Sequence, residues 1–313
     1  LARNYYFGAG PFLTVWQHGF LNWLDHWNPD ILIVEANPRN ASTNPALQWM
    51  RSRHRPVIGW GLGAPPVRGP LPEVFEKSRR RFLARFDALI AYSNTGVKQF
   101  MAAGFPKERI FLAPNAVTPR PALPPASRPD TLAGGKPVVL FVGRLQPRKR
   151  VDALIRACAE LPQDLHPRLV IVGDGPSRPE LEALAQAVYP EAQFVGEKHA
   201  SALAPYYAAA DLFVLPGTGG LAVQQAMAAG LPVLVAEADG TQADLVRPQN
   251  GWLMPPGDDA ALTALLAEAL SDPERLRRMG QESFRIVSEE VNLDIMVDVF
   301  AQAARCVMGD RSG

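Results

Sequence analysis

The sequence predicts an α/β protein built from two doubly wound, Rossmann-like domains. Short apolar runs rich in β-branched residues alternate with segments of helical spacing along almost the whole chain. Apolar runs of this length, separated by helices, are typical of parallel strands that are buried on both faces. The length of 313 residues also favours two domains over one.

The individual elements follow from this alternation. Strands are predicted at residues 31–34, 57–58, 88–91 and 110–113 in the first half, and at 138–142, 168–172, 193–195, 212–215 and 233–236 in the second. Helices are predicted at residues 151–161, 178–188, 221–229, 260–270 and 293–307. Asp258 or Asp259 precedes the fourth of these helices, and either side chain can cap its first turn.

A proline-rich break separates the two halves, with five prolines in residues 118–130. We therefore predict an N-terminal domain at residues 1–117, a linker at 118–136, a C-terminal domain at 137–290 and a final helical segment at 291–313. Two open parallel sheets joined in this way leave a cleft at the carboxyl ends of their strands, where ligands usually bind.

Charge and cysteine content exclude several classes of protein. The 32 basic and 31 acidic residues nearly cancel, which argues against a nucleic-acid partner. Only Cys158 and Cys306 are present, which excludes a disulfide scaffold and a cysteine-based zinc module. No apolar run is long enough to span a bilayer, and we expect a cytoplasmic protein.

Three turns at strand ends carry the candidate chemistry. The predicted strand 138–142 runs into Gly143 and a basic segment containing Arg144, Arg148, Lys149 and Arg150. Cations beside a helix start suit an anion, although a solvated basic turn is the alternative.

The other two turns are rich in glycine. They are Gly173-Asp174-Gly175 and Pro216-Gly-Thr-Gly-Gly220, the second leading into the helix that begins at Leu221. Glycine-rich backbone at a strand–helix junction lets a diphosphate approach closely. Together the three turns predict a pocket for a nucleoside diphosphate.

Several longer motifs resemble family 4 glycosyltransferases, which have the two-Rossmann glycosyltransferase-B fold. The matching stretches are Phe141-Val-Gly-Arg-Leu-Gln-Pro-Arg-Lys149, Val172-Gly-Asp-Gly-Pro, Ala226-Met-Ala-Ala-Gly-Leu-Pro and Asn250-Gly-Trp-Leu-Met-Pro-Pro-Gly-Asp258, with Asn37-Pro-Arg-Asn in the first half. The family normally has a further strand and helix before this start, so we expect the N-terminal domain to be incomplete there. The resemblance also implies that the last helix crosses back to the N-terminal domain.

The resemblance implies transfer of a sugar from a nucleotide donor, most commonly a UDP- or GDP-sugar, with retention and without another cofactor. Arg144 and Lys149 match the cations that contact the donor phosphates. The donor-binding residues implied are Gly143, Gly173, Asp174, Gly175, Gly196, Glu197, Gly217, Thr218, Gly219, Gly220, Leu221 and Gln225. Gly61, Leu62 and Asn115 fall on the acceptor side, and the acceptor is a carbohydrate, a lipid-linked glycan or a small molecule. No Asp-x-Asp pair occurs, so no metal is expected.

Three positions depart from the family pattern. Gly217 and Gln225 stand where the family has two glutamates, and Leu62 stands where related sequences have a histidine. Glu35 is our candidate replacement for the missing catalytic group, with Glu237 and Asp239 as further acids at a strand end. A catalytically inactive homologue that binds nucleotide sugars or a partner is therefore the alternative function, and a nucleotide-sugar epimerase is a third.

A basic, aromatic segment at residues 75–86 allows two interpretations. It can contact an anionic membrane surface peripherally through Arg79, Arg80, Arg81 and Arg85. Alternatively, it is a solvated basic face whose aromatic residues, Phe75, Phe82 and Phe86, lie in the core.

Overall fold

The chain divides into two structural units. The computed structural model describes residues 3–9, 13–66, 72–125, 135–219, 221–238 and 240–309. Unit 1 comprises Leu1–Asn115 and Ile295–Gly313, and unit 2 comprises Ala116–Asp294. The final helix therefore packs with the first part of the chain, as part of unit 1.

Unit 1 is centred on a four-stranded parallel sheet in the order β3-β4-β5-β6. Its strands are β1 (Arg3–Phe7), β2 (Thr14–His18), β3 (Leu32–Glu35), β4 (Val57–Gly61), β5 (Ala88–Ala91) and β6 (Ile110–Leu112). Its first helices are α1 (Phe20–Trp27), α2 (Thr43–Ser52), α3 (Pro72–Leu83) and α4 (Asn94–Ala102). Strands β1 and β2 form a separate antiparallel pair.

Alternating side chains of the unit 1 sheet enter two cores. Val57 and Leu89 pack with residues of α1, α2 and α4 on one face. Ile58 and Ile90 pack on the other face against Ala303, because successive side chains of a strand point to opposite faces. The sheet is thus covered on both sides, as the apolar runs predict.

Unit 2 holds a six-stranded sheet in the order β12-β11-β10-β7-β8-β9, with every pair parallel. Its strands are β7 (Val138–Val142), β8 (Arg168–Val172), β9 (Gln193–Phe194), β10 (Leu212–Leu215), β11 (Val233–Ala236) and β12 (Gly251–Met254). The helices that follow α4 are α5 (Val151–Glu160), α6 (Arg178–Val188), α7 (Ala204–Ala209), α8 (Leu221–Ala228), α9 (Gln242–Leu245), α10 (Asp259–Leu270), α11 (Pro273–Glu289) and α12 (Leu293–Gly309). The strand order reverses between β7 and β10, which is where ligands usually bind in such sheets.

The predicted fold class is confirmed, and the differences are local. Strand β3 lies one residue later than predicted, and β4 extends to Gly61. Other elements have no counterpart among the predicted ones: the β1–β2 pair, β12, and helices α1, α2, α4, α7, α9 and α11. Asp258, rather than Asp259, caps α10 by accepting a hydrogen bond from the Ala261 amide at 2.9 Å. Asp259 instead bonds to Arg150.

A buried ion pair anchors the unit 2 sheet. Asp211 precedes β10 and accepts a hydrogen bond from the Val138 amide of β7 at 2.8 Å. Its other oxygen lies 2.7 Å from a guanidinium nitrogen of Arg277 on α11, and the two side chains are only 6% and 14% exposed. The carboxylate therefore joins two strand starts to a helix.

We expect Arg277→Ala to lower the free energy of unfolding by about 3–5 kcal/mol, because it leaves a buried carboxylate without its charge partner. The adjacent Arg278→Ala is the matched control, since Arg278 and its partner Glu274 are 65% and 83% exposed. Arg278→Ala should lower the free energy of unfolding by only about 0–1 kcal/mol. Urea denaturation measures both, and equal losses would contradict the assigned role of the buried pair.

Candidate functional site

The two loops at the reversal point of the unit 2 sheet are joined directly. The loop after β7 carries Lys149, and the turn after β10 carries Thr218. The Lys149 ammonium donates to the Thr218 carbonyl at 2.6 Å, and the Thr218 amide donates to the Arg148 carbonyl at 3.0 Å. A basic loop and a glycine-rich turn thus form one surface at the carboxyl edge of the sheet.

Glycine is required in this turn because the neighbouring loop passes so close. A Cβ on Gly217 would lie 2.3 Å from the Arg148 carbonyl oxygen. On Gly219, whose φ is +143°, a Cβ would lie 2.3 Å from the Lys149 ammonium nitrogen. Both glycines therefore make room for the basic loop.

A third segment holds the same turn. Gln242, on the short helix α9, is 1% exposed and donates from Nε2 to the Gly219 carbonyl at 2.9 Å. Sequence reasoning missed this residue, since nothing in its local pattern marks it. The carbonyls of Thr218 and Gly219 thus both accept hydrogen bonds from within unit 2, the first from Lys149 and the second from Gln242.

The four basic residues of the segment after β7 lie in different environments. Arg150 bonds to Asp259 at 2.7 Å, and Arg148 donates to the Thr218 hydroxyl at 3.1 Å. Lys149 is half-buried and Arg144 is exposed. Burial lowers the pKa of the Lys149 ammonium below its usual range, and the Arg148 charge lowers it further. Arg150 is thus held by an acid, while Arg144 presents its charge to solvent.

The loops after β8 and β9 contribute mainly backbone. A Cβ on Gly173 would lie 1.9 Å from the Gly143 carbonyl oxygen, and one on Gly175 would lie 2.3 Å from that of Leu145. The Gly173 amide donates to the Gly196 carbonyl at 2.9 Å. These glycines let three neighbouring loops pack against each other.

Two acids predicted on the donor side are exposed. Asp174 accepts from the Gly175 amide at 2.7 Å and from Arg178 at 2.9 Å, and these bonds lower the pKa of its carboxyl, the Gly175 amide acting most strongly. Glu197 lies 3.5 Å from the His199 ring.

Helix α8 and the turn before it hold the remaining predicted donor residues. Leu221 is 50% exposed, and Gly220 lies outside the described residues. Of the two further acids predicted after β11, Glu237 is exposed and Asp239 lies outside the described residues. Gln225 accepts a hydrogen bond from the Tyr207 hydroxyl at 3.2 Å. Burial raises the pKa of Tyr207 well above its usual range, so this hydroxyl remains a donor.

A second group of polar residues lies at the carboxyl edge of the unit 1 sheet. Glu35, the last residue of β3, is exposed and accepts from Asn37 at 3.1 Å and Asn40 at 2.9 Å. Tyr92 follows β5, and its ring packs edge-to-face on Trp60 at 4.9 Å. Burial raises the pKa of Tyr92 to about 12, and the nearby charge of Glu35 adds to this rise.

The predicted acceptor-side residues are at or near this edge. Gly61 is buried at the end of β4, and Leu62 is 46% exposed just beyond it. Asn115 is half-buried three residues after β6. Sequence reasoning did not select Tyr92, although its position directly after a predicted strand was a usable signal.

Metal and membrane-spanning features are absent from the described part of the chain. Within it, no group of three or more His, Cys, Asp or Glu residues is placed to hold a metal ion. None of its helices combines the length and the apolar character needed to cross a bilayer.

Comparison with known proteins identifies a matching family. The family described as glycosyl transferases group 1 matches residues 125–285, about half of the chain. A GDP-mannose-dependent alpha-mannosyltransferase of Mycolicibacterium smegmatis is 43% identical over 45% of this chain and 36% of its own length. A D-inositol 3-phosphate glycosyltransferase of Nocardia farcinica is 33% identical over 85% of this chain and 59% of its own length. The chain thus spans less than two thirds of either relative.

Solved structures share the fold. The structure of Anabaena Alr3699/HepE in complex with UDP has a TM-score of 0.71 at 20% identity, covering 92% of this chain and 81% of that one. Sucrose-phosphate synthase from Thermosynechococcus elongatus has a TM-score of 0.71 at 22% identity, covering 93% and 77%. These likenesses agree with the fold class that the sequence predicts.

We expect Gly219→Ala to displace Lys149 from the turn, because the new Cβ would occupy the position of the ammonium. Acetylation of Lys149 at alkaline pH, where the amine is deprotonated in both proteins, should then proceed faster than in the unchanged protein when it is followed by mass spectrometry. Gly135→Ala is the control, since Gly135 also has a positive φ of +78° but no atom near the added Cβ. An unchanged acetylation rate in Gly219→Ala would contradict the described contact.

Proposed function

Because the chain belongs to the group 1 glycosyl transferases, we propose that it transfers a sugar from a nucleoside diphosphate donor to an acceptor hydroxyl. The observation that carries this proposal is the junction of the Lys149 loop with the glycine-rich turn, at the reversal point of the unit 2 sheet. Retention at the anomeric carbon is part of the proposal and follows the family resemblance.

The donor is proposed to bind unit 2 through its phosphates. Cleavage of the sugar–phosphate bond places negative charge on the departing diphosphate. Lys149, Arg144 and the amino end of α8 would stabilise this charge, and stabilisation that is strongest in the transition state accelerates the reaction. Relatives named for GDP-mannose and fold neighbours solved with UDP support a GDP- or UDP-sugar.

Protein cations take the place of a metal in this proposal. The sequence contains no Asp-x-Asp pair, the carboxylate arrangement that would bridge a metal to a diphosphate. Lys149 is held in position by its bond to Thr218, so little reorganisation is needed when charge develops. Gln225 gives its amide oxygen to Tyr207, which leaves its amide nitrogen as a donor for a ribose hydroxyl.

The acceptor is proposed to bind unit 1, with Glu35 and Tyr92 as its polar contacts. A carboxylate accepts hydrogen bonds, whereas a protonated tyrosine donates one, so the pair can bind a sugar hydroxyl from both sides. Asn37 and Asn40 hold the Glu35 carboxylate, while the Trp60 ring supports Tyr92. A glycan, a lipid-linked glycan or a small polyol offers such hydroxyls.

An inactive homologue that binds nucleotide sugars is the second candidate. It is favoured by Leu62, Gly217 and Gln225, none of which supplies a carboxylate or an imidazole. The junction of the two loops would serve donor binding equally well in such a protein. Turnover therefore has to be measured separately from binding.

The double variant Arg144→Ala/Lys149→Ala tests the phosphate contacts. We expect kcat/KM for a GDP- or UDP-sugar to fall at least about 10²–10³-fold, the loss typical of removing one preorganised charge-stabilising group. Release of nucleoside diphosphate and isothermal titration are the two measurements. Arg156→Ala, an exposed change on α5, is the matched control.

The two measurements separate the candidates. Donor binding without release of nucleoside diphosphate, across a panel of acceptors, would favour the inactive homologue. Full activity in the double variant would refute the phosphate assignment.

Donor affinity should also depend on Lys149 ionisation. Because the pKa of Lys149 is lowered, its charge is lost at a lower pH than in an ordinary lysine. Affinity should therefore fall as the pH rises through that pKa, by at most about tenfold per pH unit. Lys149→Arg should remove this fall, since a guanidinium stays charged, whereas Lys98→Arg should keep it. Titration calorimetry over alkaline pH measures the difference, and parallel profiles would contradict the prediction.

A further inference from the structure

The amino edge of the unit 1 sheet is a basic surface. The connections that lead from each helix into the next strand, residues 28–31, 53–56, 84–87 and 103–109, all lie at this edge because β3 to β6 run parallel. Exposed basic side chains in these connections or in the helix turns before them are His26, Arg51, Arg53, His54, Arg80, Arg81, Lys107 and Arg109. Glu35 lies at the opposite edge.

Acidic groups offset only part of this charge. Asp30 lies 3.9 Å from Arg55, and Asp25 lies 3.4 Å from Arg53. Asp87 accepts a hydrogen bond from the Val57 amide at 2.7 Å, and Glu108 is exposed. Arginines outnumber these acids, so the edge carries a net positive charge.

The four arginines of the basic, aromatic segment at residues 75–86 have different contacts. Arg79 donates to the Pro65 carbonyl, and Arg85 donates to the Asn44 side chain. Burial lowers the pKa of both guanidinium groups. Of the four arginines proposed for membrane contact, Arg79 and Arg85 are thus held by bonds within unit 1, while Arg80 and Arg81 are exposed.

A cavity opens between two of the basic connections. It has a volume of about 180 Å³, and Arg80 and Arg109 line it together with Leu83, Phe86 and Phe105. Arginine at a helix end can simply offset the helix dipole. That role does not call for a cavity that guanidinium groups and apolar side chains line together, whereas a phosphodiester attached to an apolar chain suits such a mixed lining.

We propose that the amino edge of unit 1 docks on a bilayer containing anionic phospholipids, with a lipid phosphate between Arg80 and Arg109. Basic side chains near such a surface are attracted by its negative potential. Trp27, at the end of α1, is 65% exposed, and indole rings favour the membrane–water interface. The surface is separate from the residues of the proposed sugar transfer, so the two proposals stand or fall independently.

Vesicle sedimentation tests the docking surface. The protein should bind equimolar phosphatidylcholine–phosphatidylglycerol vesicles, bind vesicles of phosphatidylcholine alone far more weakly, and dissociate as salt is added. Arg80→Gln/Arg81→Gln should weaken binding about 25-fold, since each arginine near an anionic bilayer contributes roughly fivefold. Arg109→Gln should weaken it by about fivefold on the same basis.

Arg39→Gln is the matched control, because Arg39 is exposed just beyond the carboxyl end of β3. This variant should bind vesicles like the unchanged protein. Thermal unfolding and nucleotide titration verify that each variant is folded. Equal binding to both vesicle types, no binding to anionic vesicles, or equal losses in Arg39→Gln and Arg80→Gln/Arg81→Gln would overturn the proposal.

Discussion

The bond from the Lys149 ammonium to the Thr218 carbonyl joins two loops that leave neighbouring strands of unit 2. Parallel strands bring their following loops to one edge, but they do not determine how those loops meet. Here the side chain of one loop ends on the backbone of the other. The geometry of the proposed phosphate site depends on that contact, because it places a cation and a glycine-rich turn on one surface.

Several other features serve the same junction. Gly217 and Gly219 provide clearance for the basic loop, and Gln242 holds the turn from its other side. The junction also removes part of the water from the Lys149 ammonium, which disfavours its charged form and lowers its pKa. A diphosphate bound nearby would restore a favourable partner for this charge. The two glycines therefore let the basic loop pack against the turn, and this packing in turn forms the surface that a ligand could contact.

Unit 1 has polar and charged side chains at both edges of its parallel sheet, and the two edges differ in the kind of group they carry. The carboxyl edge carries Glu35 with its amide donors and Tyr92 with its raised pKa. Most of the exposed arginines of this unit lie at the amino edge instead. This separation follows from the topology, since strand ends and helix ends alternate between the edges of a parallel sheet.

The sequence by itself determined the fold class, the central strands and the turns that end them, because periodicity and turn chemistry act between residues close in the chain. It also marked Lys149 and Glu35. The tertiary structure decided which cations are engaged: Lys149 contacts a residue 69 positions away, and Arg150 pairs with one 109 positions away. It likewise revealed Gln242, and it bonds Arg79 to Pro65 and Arg85 to Asn44. Such pairings depend on distances between segments remote in the chain, and no local pattern encodes those distances.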